Sequence, residues 1–220
     1  MPSLLTRLIH DAKAFLSELA ANNTHEWWET HRDRYDALLK APALTLLHEM
    51  SGPLGRMVGA PITTKLFAPQ RAPRLSSRNA PYHTHLHLLW SPRLGGVAQP
   101  GFFFGIAPSY VTLGAGQTDF GKAAMGAWRA TVEARGADIA EIMDTLTTND
   151  YRISAPALKR VPAPFRADHP RAALLRRKGL SAWHEYDASL TRDQMTQGFA
   201  ALGPLVKALG SIESVPQLSN

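Results

Sequence analysis

From Leu66 to Trp90 the chain reads L-F-A-P-Q-R-A-P-R-L-S-S-R-N-A-P-Y-H-T-H-L-H-L-L-W, and its last nine residues decide the fold. There the side chains alternate. Tyr82, Thr84, Leu86, Leu88 and Trp90 fall on one face of an extended chain, and His83, His85, His87 and Leu89 on the other. An apolar face backed by imidazoles predicts a strand with one side in the core. Just upstream lie Arg71, Arg74 and Arg78, then an Asn-Ala-Pro-Tyr turn ending at Tyr82, with a short β-like run from Ile62 to Ala68 before them. Downstream, Ser91 to Pro100 reads as a Gly/Pro loop. Gly101 to Ile106 and Ser109 to Leu113 then read as two strands joined by a turn at Ala107-Pro108. Short consecutive strands favour an antiparallel sheet.

Helical periods flank this block. Leu4, Leu5, Leu8, Ala12, Phe15, Leu16 and Leu19 form one apolar stripe that stops at Asn22-Asn23. Asn23 with Glu26 three residues on has the spacing of a capping box, predicting Asn23 as the N-cap of a second helix. That helix carries Trp27, Trp28, His31, Tyr35, Leu38 and Leu39, an aromatic stripe read as core. Pro42 suits the first turn of a third helix, with Leu44, Leu47, Met50 and Leu54 buried and its end at Ser51-Gly52-Pro53. Beyond the strands, Gly114-Ala-Gly116 reads as a turn, because it lacks both the third glycine of a dinucleotide fingerprint and the Lys-Ser/Thr of a P-loop. Lys122 to Ala134 and Asp138 to Leu146 follow as helices parted at Gly136. A proline- and arginine-rich stretch runs from Tyr151 to Arg177, and a helix from about Thr191 to Leu209 closes the chain. The expected fold class is α+β: an antiparallel sheet from the central third, packed by N-terminal and C-terminal helices, in a single domain over 1–220 with its core at about 11–210.

Composition bounds the function. The chain has 220 residues, 45% hydrophobic and 19% charged, as expected of an ordinary globular domain. A net charge of +6 favours anionic partners, but the basic residues are spread along the chain, which leaves nucleic acid an open partner. The absence of cysteine excludes disulfides, thiolate metal sites and cysteine nucleophiles. Charges interrupt the N-terminal apolar stripe, and no apolar run approaches the roughly 20 residues that span a bilayer. A cytoplasmic protein with no membrane partner is expected.

Three blocks resemble a known family. Asn22-Asn-Thr-His-Glu-Trp-Trp-Glu-Thr-His-Arg-Asp-Arg-Tyr35 is similar to the opening N-N-x-x-E-W-F-x-x-x-R-x-x-Y of the bacterial family called domain of unknown function 2461. Leu158-Lys-Arg-Val-Pro162, Asp168-His-Pro170 and Leu175-Arg-Arg-Lys178 are similar to its closing L-K-R-x-P, D-H-P and L-R-x-K segments. Between them, the family pattern R-x-x-R-D-x-R-F-x-x-[DN]-K-x-x-Y is matched in part, by Arg71, Arg74, Pro81 and Tyr82. Its first Arg falls on Ala68, its Asp on Ala72, its Phe on Leu75, its Asp/Asn on Arg78 and its Lys on Asn79. If that cluster is catalytic in the family, loss of an acid and a lysine implies a divergent or inactive member; if structural, another network has replaced it. The resemblance runs from about Phe15 to Leu180 and implies an α+β fold with an antiparallel sheet. It implies no activity.

The chemistry must therefore come from the residues. A guanidinium is a five-donor fork matched to carboxylate or phosphate, so Arg71 and Arg74 are candidates to clamp an anion, with the Tyr82 hydroxyl as a further donor. The same arginines could instead tie the loop to acids or carbonyls elsewhere in the fold. The ligand-binding candidates are Arg71, Arg74, Tyr82 and His85, serving an anionic small molecule or acidic partner. In an alternative, enzymatic reading, His85 or Tyr82 acts as acid/base beside the two arginines, although alternation puts those two on opposite faces. No cofactor and no metal are assigned. Alternate strand residues lie roughly 6.6–6.8 Å apart, so His83 with His85, or His85 with His87, could share a zinc only with a third ligand from elsewhere, such as Asp168 or His169. Of the three, the family pattern implies His85 alone. Lys159-Arg160 and Arg176-Arg177-Lys178 read as solvated charge.

Overall fold

The computed structural model describes residues 3–71 and 80–213. Its first helix, α1 (Leu4–Ala21), starts where the Ser3 side chain accepts from the Thr6 N–H, and buries Leu5, Leu8, Ile9, Ala12, Phe15, Leu16 and Leu19 along the expected stripe. Helix α2 (His25–Tyr35) is capped by Thr24, whose hydroxyl accepts from the Trp27 N–H. Asn23, the expected cap, is occupied elsewhere. Its amide donates to the Tyr82 carbonyl at 2.9 Å and accepts from the Tyr82 N–H at 3.0 Å, so a long-range clasp outcompetes the local one.

The second and third helices, expected apart, form one continuous helical path. Helix α2 passes through a π turn, Asp36–Lys40, into α3 (Ala41–Val58). Pro42 has no N–H to offer the turn before it, and its ring crowds the carbonyl four residues back. The chain widens there, and the Ala41 N–H reaches the Asp36 carbonyl, one residue beyond the α-helical partner. Helix α3 also runs on through Pro53, because Leu54 and Val58 are buried and their burial outweighs the single backbone bond that proline forgoes. It stops at Gly59, which takes φ +73°. Leu44, expected in the core, is 49% exposed; Ala43 takes the buried position.

One antiparallel sheet of six strands follows, in the order β1-β2-β3-β4-β6-β5. The strands are β1 (Ile62–Leu66), β2 (Leu86–Pro92), β3 (Gly101–Ala107), β4 (Tyr110–Gln117), β5 (Arg152–Ile153) and β6 (Leu180–Tyr186). The α+β architecture is as expected, but β5 and β6 come from the last third of the chain. Strand β4 continues through Gly114-Ala-Gly116, which sequence pattern reads as a turn. The reason lies on β6: a side chain at residue 114 would collide with the Trp183 indole, and Gly116, at φ +123°, lies against the Leu180 backbone.

Helices α3 and α6 (Arg192–Gly210) seat on the inner face of the sheet. The Trp90 indole N–H donates to the Leu47 carbonyl of α3, and Phe199 of α6 meets Trp90 and Phe102 at 5.6 and 5.3 Å. Burying each phenyl ring contributes about 2–3 kcal/mol. The chain's capping box lies on α6, where Thr191 and Gln194 satisfy each other's backbone donors. Helix α4 (Gly121–Thr148) breaks at Arg135, one residue before the expected parting, and a short α5 (Ala172–Leu175) precedes β6. Arg177, expected as solvated charge, is 5% exposed, and its guanidinium donates to the Ser154 carbonyl. Burial holds its pKa below the ordinary arginine value. Among the described residues, no helix is long and apolar enough to cross a membrane.

Candidate functional site

A cleft of about 750 Å³ opens between the helical rod and the edge strand β1. The helical wall is a polar stripe, His25, Glu29, Arg32, Asp36 and Lys40, spaced three and four apart so that all face one way. The opposite wall runs from Thr64 to Gln70. Trp28, Tyr35 and Tyr82 close the floor, with Trp28 stacked on Tyr82 at 4.4 Å between ring centroids. Of the α2 stripe expected as core, Trp28 and Tyr35 are buried, Trp27 is half-buried and Leu38 is exposed. The polar stripe beside them was missing from the expected site residues, although the spacing 25, 29, 32, 36, 40 is legible as one helical face.

Tyr82 is the hinge of this site. The Asn23 clasp fixes its backbone, the Trp28 ring lies on its face, and its hydroxyl sits 3.0 Å from His25 Nδ1. Burial, then Glu29, raises the phenol pKa, while Arg32 acts against the shift. Deeper in the floor, burial pushes Tyr35 up to about 12. Lys40 is held by Asp36 at 3.2 Å, a pair the π turn sets side by side. Arg32 and Glu29 are exposed, and neither forms an ion pair among the described residues. The cleft can therefore offer an aromatic floor of ring edges, an exposed guanidinium, a lysine shared with Asp36 and a phenol–imidazole contact to a small molecule.

The other expected site residues lie elsewhere. Arg74, like Arg78, lies outside the described residues. Arg71 is half-buried, and its backbone N–H bonds the Pro81 carbonyl; it neighbours the histidines and does not line the cleft. His83, His85 and His87 form a ladder of rings, with centroids 4.8 Å apart for the first pair and 3.8 Å for the second. Burial, with the mutual repulsion of the three rings and Arg71, pushes His85 down to about 4. His83 and His87 are also lowered by burial, which keeps the ladder neutral near pH 7. His87 Nε2 meets the Tyr110 hydroxyl at 2.9 Å. The first pair is tilted by 32° and the second stacked, and no group of three His, Asp or Glu side chains converges on a metal position among the described residues. The two suggested third ligands are engaged away from the ladder: Asp168 with Arg166 at 2.8 Å, and His169 with Glu133 at 2.7 Å. Tyr82 and His85 fall on the two sides of the segment entering β2, as alternation requires.

Residues from two of the three blocks that carry the family resemblance converge at the cleft, and the third block does not line it. Asn23, Trp28, Arg32 and Tyr35 from the first block meet Tyr82 from the second. No curated protein matches the chain. A profile of the family described as "Conserved hypothetical protein (DUF2461)" matches residues 11–207, nearly the whole length, and the chain therefore belongs to the DUF2461 family.

Proposed function

We propose that the protein is a binding module whose cleft takes an anionic small molecule with a planar portion. The observation that carries this reading is the Trp28–Tyr82 stack beside Arg32, an exposed guanidinium without an ion-pair partner among the described residues. An aromatic floor contributes desolvated contact area, and the guanidinium fork matches phosphate or carboxylate. Glu29 on the same wall favours ligands that also present a donor. Thermal unfolding against a panel of nucleotides, phosphosugars and aromatic carboxylates tests it. A ligand at 100 times its dissociation constant stabilises the native state by about 2.7 kcal/mol. The expected result is a shift with one class that disappears in Arg32→Ala, an exposed position whose loss leaves the fold intact. A shift that survives Arg32→Ala, or none across the panel, refutes the reading.

A second reading, an enzyme acting on such an anion, is favoured by the His25–Tyr82 contact, a phenol within proton-transfer reach of an imidazole. In it Tyr82 and His25 take the acid/base role, since Arg71 and His85 do not line the cleft. Tyr82→Phe separates the two readings: binding retained with turnover lost supports catalysis, and the absence of turnover in wild type leaves the binding module.

A further inference from the structure

The outer face of the sheet carries a second surface, which meets the cleft wall only at its Lys65 and Phe67 edge. Register places Lys65, Leu89, Phe103, Gly114, Trp183 and Arg152 opposite one another in a single row that crosses all six strands. At the usual strand spacing this row is ~24 Å long. Its two ends are exposed cations, and Leu89, Phe103 and Trp183 between them are half-buried. The glycine is what makes the row flat. At residue 114 a Cβ would lie 2.3 Å from the Trp183 ring, so the indole rests on bare backbone and turns its other face outward. Phe103 lies 5.4 Å from it, tilted 35°. The helices α3 and α6 seat on the opposite face, against Trp90 and Phe102. The neighbouring row, Phe67, His87, Gly105, Thr112 and Glu185, repeats the device, with the His87 ring 3.1 Å from a Cβ built at Gly105. It ends in an exposed carboxylate.

We infer that this face is a binding platform for single-stranded nucleic acid, with unpaired bases stacking on Trp183 and Phe103 and phosphates meeting Lys65 and Arg152. Aromatic rings on an open sheet, bordered by cations, suit unstacked bases because every base has a π face, whereas a duplex hides its faces in the stack. The row is long enough for a few nucleotides, and the net charge of +6 assists an anionic partner over its whole approach.

Fluorescence anisotropy with a labelled oligothymidylate of about 12 nucleotides tests this. Wild type should bind at low salt, and Trp183→Leu, which keeps an apolar cover over Gly114, should bind roughly 10-fold more weakly. The paired reversal Lys65→Glu with Arg152→Glu should also weaken binding, and should make the slope of log affinity against log salt shallower by about 1.4, two phosphate contacts' worth. Lys207→Glu, an exposed cation on α6, should leave affinity unchanged. Unlabelled oligonucleotide should quench tryptophan emission in wild type and not in Trp183→Leu. Circular dichroism confirms that each variant is folded; if Trp183→Leu is not, Arg152→Glu, alone at the far end from the cleft, still carries the test through its salt slope. Three outcomes overturn the inference: no binding by wild type, equal affinity for a duplex of the same length, or equally effective displacement by polyglutamate, which would mark the face as one for acidic protein.

Discussion

Replacing Asn23 by alanine removes the clasp that holds Tyr82, and its cost follows from the geometry. Two hydrogen bonds are lost, at 2.9 and 3.0 Å, and the Tyr82 N–H and carbonyl lose their partner in a half-buried place. At about 1 kcal/mol net for each, Asn23→Ala should cost about 2 kcal/mol. For a chain of this length that is ~4–8 °C in Tm. Urea unfolding followed by tryptophan emission measures it, because Trp28 lies on the clasped tyrosine. The comparison is Thr24→Ala, which removes the observed cap of α2 and should cost about 1 kcal/mol. If Asn23 were the cap, as local spacing predicts, the order would reverse: Asn23→Ala would cost about 1 kcal/mol and Thr24→Ala close to nothing. Asn23→Asp adds a pH signature. An ionised carboxylate can accept from the Tyr82 N–H but faces the Tyr82 carbonyl without a proton to give. Its deficit relative to wild type should therefore shrink as pH falls through the carboxyl range. A Thr24→Ala loss exceeding that of Asn23→Ala, or a pH-independent Asn23→Asp deficit, refutes the clasp.

Acid should weaken the fold through the histidine ladder. The folded pKa of His85, about 4, lies below its unfolded value near 6.5, so the unfolded state binds more protons between those limits and stability falls as pH drops through that window. With the ring half-buried, solvent screening holds the loss to the order of 1–2 kcal/mol, and His85→Gln should flatten it; an unchanged pH profile counts against the reading. In α6, Gly198→Ala would place a Cβ 2.5 Å from the Tyr186 hydroxyl and 2.9 Å from Leu113, and should destabilise by about 1–2 kcal/mol. Gly126→Ala, in open space on α4, should instead stabilise by about 0.5–1 kcal/mol, and urea midpoints that fail to move in opposite directions would refute the packing on which both rest.

Strand β2 and the helices α1 and α6 were legible because their side chains repeat with the period of their backbone. Leu86, Leu88 and Trp90 alternate inward, and the α1 stripe is buried as spaced. Strand β6 went unread although Leu180 to Tyr186 pairs along its whole length with β4, since its neighbours in sequence are loop and its partner lies about 70 residues earlier. The cleft was half legible. Its aromatic floor and polar stripe both have helical spacing, but their meeting with Tyr82 and the edge of β1 is long-range.

Local periodicity and turn chemistry by themselves determined the α+β class, the antiparallel sheet and the spans of α1, β3 and α6, and three motif blocks carried the resemblance to the family. Tertiary structure alone decided that Asn23 would leave its helix to clasp Tyr82 and that Gly114 would be a strand residue beneath an indole. Each of these depends on a partner far along the chain. Local propensities differ by about 1 kcal/mol or less, and one buried contact or a pair of long-range hydrogen bonds is enough to reverse them.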